Sequence, residues 1–490
     1  MEHDGKTVRP EIFSSRWALL LTSLGIAIGT GNIWRFPRVA AANGGGVFIL
    51  VWTVFLFIWS IPLLATESAI GRATRRGTLG AFTRMIGERG AWMGGFVALI
   101  TTGIMCYYNV VTGWCLKYLT ASALGTVNVS TGPEYWRAFS GSWEAAAFHL
   151  AAAALAGVII LAGVRAGIER TNNIFIPLLG IILVYSAIRA ILLPGASAGI
   201  YYLFHFDPLD FTKPQVYLEA LSQSAWSTGA GWGLLLTYSV YARERDRLVE
   251  NSLFMGIGDN TASLLAGLAV IPTVFAMLPA GEAVQVATTP GQNSTGLTFI
   301  WIPKLLGGSA EGQFMLVLFF LALVLAALTS LISMIELAVR NLIDLGWKRK
   351  IATAVVTAFI ALAGLPSALS SSFFDNQDWV WGLGLLVNGF FFCLAVRFYG
   401  AQRFREQMVS GHESGDIRLG KIFDFLILWL IPAQFVILLS WWFYRSVTWA
   451  PHSWWNPLST FSIASCLAQW GIAAVLMLWL GPRFARRFRS

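Results

Sequence analysis

The chain is built of apolar runs, each about 20 residues long and so enough to cross a bilayer, separated by short polar connectors. They fall near 17–41, 44–70, 92–122, 145–163, 171–193, 217–241, 254–280, 313–338, 351–370, 379–399, 422–445 and 459–481. The pattern predicts an all-α integral membrane protein of about twelve transmembrane helices, one membrane domain over 1–490. The first run is too long for a signal peptide and lacks a small-residue cleavage site. It is also interrupted, by Gly25-Ile-Ala-Ile-Gly29-Thr-Gly31-Asn32-Ile-Trp34-Arg35-Phe-Pro37. Each glycine costs roughly 1 kcal/mol in a helix interior, and backbone freed from a helix must find partners where there is no water. Close helix packing accounts for the glycines but not for Asn32 or Arg35; a broken helix beside a binding site accounts for all of them.

A second interruption, Gln223-Ser-Ala-Trp226-Ser227-Thr-Gly229-Ala-Gly231-Trp232-Gly233, lies in the sixth run. Breaks at matching places in two five-run halves, 17–193 and 217–399, point to inverted repeats with a site near the membrane midplane. Residues 422–481 add two further helices.

Composition agrees: 56% of the 490 residues are hydrophobic and 12% charged, against about 25% charged in a soluble domain. The net charge of +9 reports topology rather than a nucleic-acid partner. With the N-terminus inside, most of the 34 Lys and Arg fall in inner loops and tails, among them Arg72, Arg75, Arg76, Arg84, Arg89, Arg243, Arg245, Arg247, Lys348 and Lys350. Few, such as Arg137, Lys213 and Lys304, fall outside, as the positive-inside rule requires. Both termini are therefore expected in the cytoplasm. Cys106, Cys115, Cys393 and Cys466 lie far apart within runs, and the five His are scattered, so neither a disulfide framework nor a metal cluster is expected. No nucleophile–base set shares a depth, which argues against an enzyme.

With both breaks in view, further motifs follow in order: Asn43-Gly-Gly-Gly46, Pro62 to Arg72 around Glu67, Tyr107-Tyr108, Gly167-Ile-Glu-Arg170 and Ala326-Ala-Leu-Thr329-Ser330. Together they resemble the neurotransmitter:sodium symporter family, of LeuT-type fold, over essentially the whole chain, and its bacterial amino-acid carriers in particular. The resemblance implies sodium-coupled import by alternating access across a prokaryotic inner membrane. The bilayer and a small carboxylate-bearing substrate would be the partners, with no obligatory protein partner evident.

The resemblance makes the carbonyls of Gly25, Ile28 and Ala326 and the hydroxyls of Thr329 and Ser330 the ligands of one sodium ion. Taken alone, the two hydroxyls read equally well as back-bonded to their own helix. A second sodium would use Ala27, Asn32, Ser227 and the position of Gly258, whose neighbours Asp259 and Asn260 could serve after a register shift. One or two sodium ions are thus expected. Chloride independence is expected because Trp52 stands where animal relatives have a Tyr and Ala262 where a bacterial carboxylate would fall; Asp259, one turn away, could substitute.

The amides of Thr30 and Gly31 and the Tyr108 hydroxyl resemble the family's carboxylate clamp. Gly29 stands where amine-carrying relatives have an Asp. Carbonyls of Ala27, Trp226 and Ser227 would meet an amino group, although Ile26 is apolar where several relatives are polar. Ile104, Tyr108, Trp226, Gly229, Trp232, Ser330 and Met334 would line a pocket for a hydrophobic or aromatic side chain. The resemblance makes Arg35 and Asp378, beside Gln223, the outer gate, Glu67 a brace for exposed amides, and Arg9 with Asp344 and Tyr241 the inner closure. Two rival readings keep the fold: a carrier of an amine-free aromatic or aliphatic carboxylate, and a non-transporting sensor.

Overall fold

The computed structural model describes residues 11–128, 132–289, 296–409 and 415–488, and among them every regular element is helical. Ten helices are long and apolar enough to cross a membrane unbroken: Gly46–Thr74, Glu88–Ala123, Trp143–Leu161, Val164–Ile191, Leu248–Met277, Ala310–Asp344, Arg349–Leu369, Ser371–Tyr399, Lys421–Trp449 and Ile463–Phe488. Two broken spans complete the order. The first is Arg16–Ala27 and Thr30–Ala42, bent by 50°. The sixth is Pro214–Ser227 followed by the short helix Leu234–Ser239. The twelve positions match the apolar runs, with ends moved by up to about a turn or two, the usual uncertainty of a boundary read from sequence.

Large apolar side chains lie on the outer surface of the peripheral spans, such as Val158, Ile181, Leu362 and Ile472, each at least 65% exposed. A lipid solvent explains that surface, because hydrocarbon gives no reason to turn Leu or Ile inward. The eighth and tenth spans are the most buried and the eleventh and twelfth the least. The first break sits against the eighth span at Ser330 and the sixth break against the tenth at Gly389, with the last two helices on the outside.

Among the described residues three spans, the second, fifth and eleventh, carry π turns, a departure from regularity often found at functional sites. In the second span the π turn is Leu56–Ser60. Ser60 Oγ there joins Ser224 Oγ (3.0 Å) and the Thr228 hydroxyl (2.9 Å) of the sixth span. In the fifth span it is Val164–Glu169, whose last residue accepts hydrogen bonds from Ser14 at the foot of the first span.

At the basic end of the bundle, Arg75 closes the second span with a left-handed turn (φ 56°). Its guanidinium donates to the Val240 carbonyl at 2.9 Å and to that of Ala242. Burial lowers its pKa, against which the nearby Glu244 and Asp246 carboxylates pull upward.

Candidate substrate and ion site

The first break is two residues long. Ile28 leaves the helical region and Gly29 is extended before the helix resumes at Thr30. The freed Gly29 amide is captured by Asn32 Oδ1 at 2.9 Å. The Tyr108 hydroxyl, from the third span, accepts from both the Thr30 amide and its hydroxyl at 3.3 Å. A Cβ at Gly29 would stand 3.0 Å from Ser330 Oγ and 3.2 Å from the Tyr108 oxygen. Only glycine leaves these three groups together. Gly31, by contrast, faces open space.

The sixth break rests on three glycines in the left-handed region, Gly229 (φ 70°), Gly231 (φ 87°) and Gly233 (φ 80°), a conformation costly to any residue with a Cβ. Glu67, fully buried in the second span, accepts from the Gly231 amide at 2.6 Å and the Leu236 amide at 3.2 Å. One carboxylate thus satisfies a donor within the interruption and another in the first turn of the helix that follows it. Ile26 Cγ2 lies 2.9 Å from where a Gly229 Cβ would be, so the two breaks touch. Of the expected lining residues, Ile26, Ala27, Ile104, Trp232, Ser330 and Met334 are buried in the core, and Trp226 is half-buried.

Between the first and eighth spans, Ser330 Oγ reaches the Gly25 carbonyl at 3.3 Å and that of Ile26 at 3.4 Å. The Thr329 hydroxyl points its hydrogen back to Leu325 and Ala326 at 3.1 and 3.0 Å. That is the back-bonded geometry of membrane Thr, with the Thr329 Cβ 3.2 Å from where a Gly25 Cβ would stand. Every donor here is an uncharged oxygen, a set suited to a hard monovalent cation.

A second cluster is centred on Asp259 of the seventh span. Its carboxylate accepts from Asn32 Nδ2 at 2.6 Å and from Ser227 Oγ at 2.8 Å, and Asn32 also reaches Ser263 Oγ at 2.9 Å. Gly258 takes no part: a Cβ there would run into Leu24. The residue that meets Asn32 and Ser227 is Asp259, so the register expected from sequence is one residue early.

At the end opposite the basic loops, Arg35 turns to Ser222 Oγ (3.3 Å) and the Trp226 ring (5.6 Å to its centroid). Asp378 is hydrogen-bonded by the Tyr107 hydroxyl instead. The expected Arg35–Asp378 ion pair is not formed, and Asp378 is solvent-exposed. Gln223 is buried and its Oε1 has no partner among the described residues, so it does not bridge the two charges.

At the basic end the contacts are closed. Arg349 pairs with the fully buried Glu336 at 2.8 Å and with Glu11 at 2.6 Å. Tyr241 donates to Glu336, and its carbonyl accepts from the Phe13 amide at 3.1 Å. Asp344 is taken by Arg340 and by the Gly77 amide, both at 2.6 Å. Arg9 lies outside the described residues.

With that geometry in place, the sequence matches the Sodium:neurotransmitter symporter family over residues 10–145 and 140–482. The chain belongs to this family. Among its relatives is an uncharacterized sodium-dependent transporter of Methanocaldococcus jannaschii, 32% identical over 72% of this chain and 74% of the relative. Another, from Bacillus subtilis, is 28% identical over 88% and 96%. The sodium-dependent serotonin transporter of Drosophila melanogaster is 26% identical over 82% and 72%. In three dimensions the chain is similar to MhsT in its crystal structure with L-phenylalanine, with a TM-score of 0.75 and 27% identity, covering 88% of this chain and 99% of that one. This symporter is therefore a multi-pass, sodium-dependent membrane transporter and not an enzyme.

Three features of this symporter lie beyond the expected site residues. The Tyr107–Asp378 bond has a signal in the Tyr107-Tyr108 pair, which puts one hydroxyl on each side of the third span. Glu336 follows Thr329 and Ser333 at spacings that put all three on one helix face. A carboxylate on that face at membrane depth demands a cation, and Arg349 supplies it. The third, Asn172 of the fifth span, has no signal beyond being polar in an apolar run.

Proposed function

We propose that the chain imports a hydrophobic or aromatic amino acid together with sodium, its termini in the cytoplasm of a prokaryotic cell. The observation that carries the reading is the junction of Gly29, Thr30, Gly31 and Tyr108. There, a helix N-terminus carries its positive dipole end beside open space at Gly31, and its Thr30 amide is met by the neutral Tyr108 hydroxyl rather than by a carboxylate, so the substrate supplies its own. Carbonyls of Ala27, Trp226 and Ser227 receive its amino group, and Ile104, Trp232 and Met334 hold its side chain.

Sodium at Gly25, Ile28, Ala326, Thr329 and Ser330 ties the first span to the eighth. A second sodium at Ala27, Asn32, Ser227 and Asp259 ties the first to the sixth and seventh. The Asp259 carboxylate supplies beside that ion the negative charge that chloride would otherwise bring, which favours two sodium ions and no chloride. At ~100 mV each charge carried inward contributes about 2.3 kcal/mol, or roughly 50-fold accumulation. The unpaired Arg35 and exposed Asp378 correspond to a site open outward, with the Arg349–Glu336–Glu11 network holding the inner side shut. Substrate binding then draws Arg35 and Asp378 together, and the inner network parts.

A thermal-shift screen of the purified protein in sodium against potassium tests this. Stabilisation by one or more apolar amino acids only in sodium is the expected result. Stabilisation only by amine-free carboxylates, such as phenylpyruvate, would transfer the assignment to the rival reading that the apolar Ile26 motivates. MhsT with phenylalanine in its crystal structure supports the amino-acid reading.

A further inference from the structure

Asn172 lies in the fifth span, three residues beyond the π turn Val164–Glu169, and is fully buried. Its Nδ2 donates to the Ile168 carbonyl at 2.9 Å, while Oδ1 has no hydrogen-bond partner among the described residues. The amide cannot be reversed to repair this, because Oδ1 would then face the Ile168 carbonyl, acceptor against acceptor. A buried carbonyl oxygen left without a donor costs about 1–3 kcal/mol, so its position calls for a reason.

Its surroundings supply one. A Cβ at Gly25 would collide with Asn172 Oδ1 and stand 3.2 Å from Thr329 Cβ. The orphan oxygen therefore occupies the space beside Gly25, between the first and eighth spans, next to the residue whose carbonyl meets Ser330 Oγ. This also gives Gly25 a purpose: any side chain there would displace the amide oxygen.

We propose that Asn172 Oδ1 is a further ligand of the sodium ion held by Gly25, Ile28, Ala326, Thr329 and Ser330. The inference rests on the sodium site proposed above and adds the fifth span to it. The ion then bridges three spans rather than two. Movement of the fifth span at its π turn withdraws one oxygen from the shell, so release of sodium becomes coupled to that helix.

The test is a sodium titration of the purified full chain, read as thermal stabilisation and as equilibrium binding of radioactive sodium. Asn172→Ala is expected to raise the half-saturating sodium concentration about tenfold or more without lowering the melting temperature in potassium. Asn172→Asp is expected to tighten sodium binding and to make it strengthen with rising pH, a response that a packing role would not produce. Thr329→Val is the reference. If it weakens sodium binding while both Asn172 variants titrate like the parent, the Asn172 proposal is overturned and the sodium site stands. If Thr329→Val also titrates like the parent, the site itself is wrong. Should Asn172→Ala not fold, the sign of the Asp variant's change decides alone.

Discussion

Replacing Glu67 by Gln tests whether the sixth break is held in shape by one carboxylate. The parent side chain accepts two backbone hydrogen bonds, from Gly231 at 2.6 Å and Leu236 at 3.2 Å, without any exposure to solvent. Gln has the same length and volume but one carbonyl oxygen, so its NH2 must face one of the two amide N–H groups. Hydrogen bonds to a charged acceptor contribute about 1.5–3 kcal/mol each. Losing one shifts the equilibrium between the formed and collapsed break by roughly 10- to 150-fold. Affinity measured at the site falls in proportion to the fraction still formed, so the half-saturating sodium and substrate concentrations should rise by up to that factor. Glu67→Ala, which frees both amides, should abolish sodium-dependent stabilisation while far-UV circular dichroism still reports an all-helical protein. Uptake into liposomes and sodium thermal titrations read both variants. Parent-like half-saturation in Glu67→Gln would mean the side chain merely fills space, and the brace would be refuted.

Further outcomes follow from the same geometry. Asp259→Asn removes the charge beside Asn32 and Ser227, so sodium cooperativity should fall or uptake should become chloride-dependent. Identical sodium curves in chloride and gluconate, both matching the parent, would contradict this. Gly29→Asp would crowd Ser330 Oγ and the Tyr108 oxygen, 3.0 and 3.2 Å from the new Cβ, and put an anion against the substrate carboxylate. Binding of a stabilising amino acid should drop at least ~100-fold, the equivalent of about 2.7 kcal/mol, and isothermal titration with that amino acid would expose an error. Arg349→Ala leaves the buried Glu336 without its cation, a loss of the kind that costs about 3–5 kcal/mol, and should open the basic end. Thiol labelling of a cysteine introduced beside Tyr241 should accelerate in sodium; an unchanged rate would remove Arg349 from the closure.

What is legible in the sequence follows from where the physics is local. Span positions are set by runs of apolar residues and need no knowledge of contacts. The breaks are legible because helix packing alone accounts for glycine at membrane depth but not for Asn32 or Arg35. Thr329 and Ser330 can be named but not decided, since a hydroxyl that bonds its own helix and one that also faces an ion look the same along the chain. Placing Gly258 instead of Asp259 comes from register: along the seventh span nothing marks which of three successive residues turns toward Asn32. About 100° per residue separates a ligand from its neighbour. The outer gate reads as paired because both charges sit at the right depth. Pairing, however, is a property of conformational state, and composition carries no record of that.

The two ends of the pathway differ in the kind of interaction that closes them, and this bears on how sodium drives the cycle. The basic end is held by a buried carboxylate, Glu336, shared between Arg349 and Tyr241, with Glu11 and the Phe13 backbone drawn in from the foot of the first span. Opening it must separate desolvated charges, which is expensive at low dielectric. The opposite end awaits one pair, with Asp378 open to solvent and meanwhile served by Tyr107. Closing there trades a neutral hydroxyl donor on the Asp378 carboxylate for a charged guanidinium, which a bound substrate can favour by excluding water. Ions that join the first span to the fifth, sixth, seventh and eighth would fix its lower half against the bundle and so reinforce the costly closure. On the proposed reading the substrate acts on the cheaper closure, and departure of sodium would weaken the other. A carrier so arranged resists opening inward while sodium is bound, and that order of events is what couples the gradient to uptake.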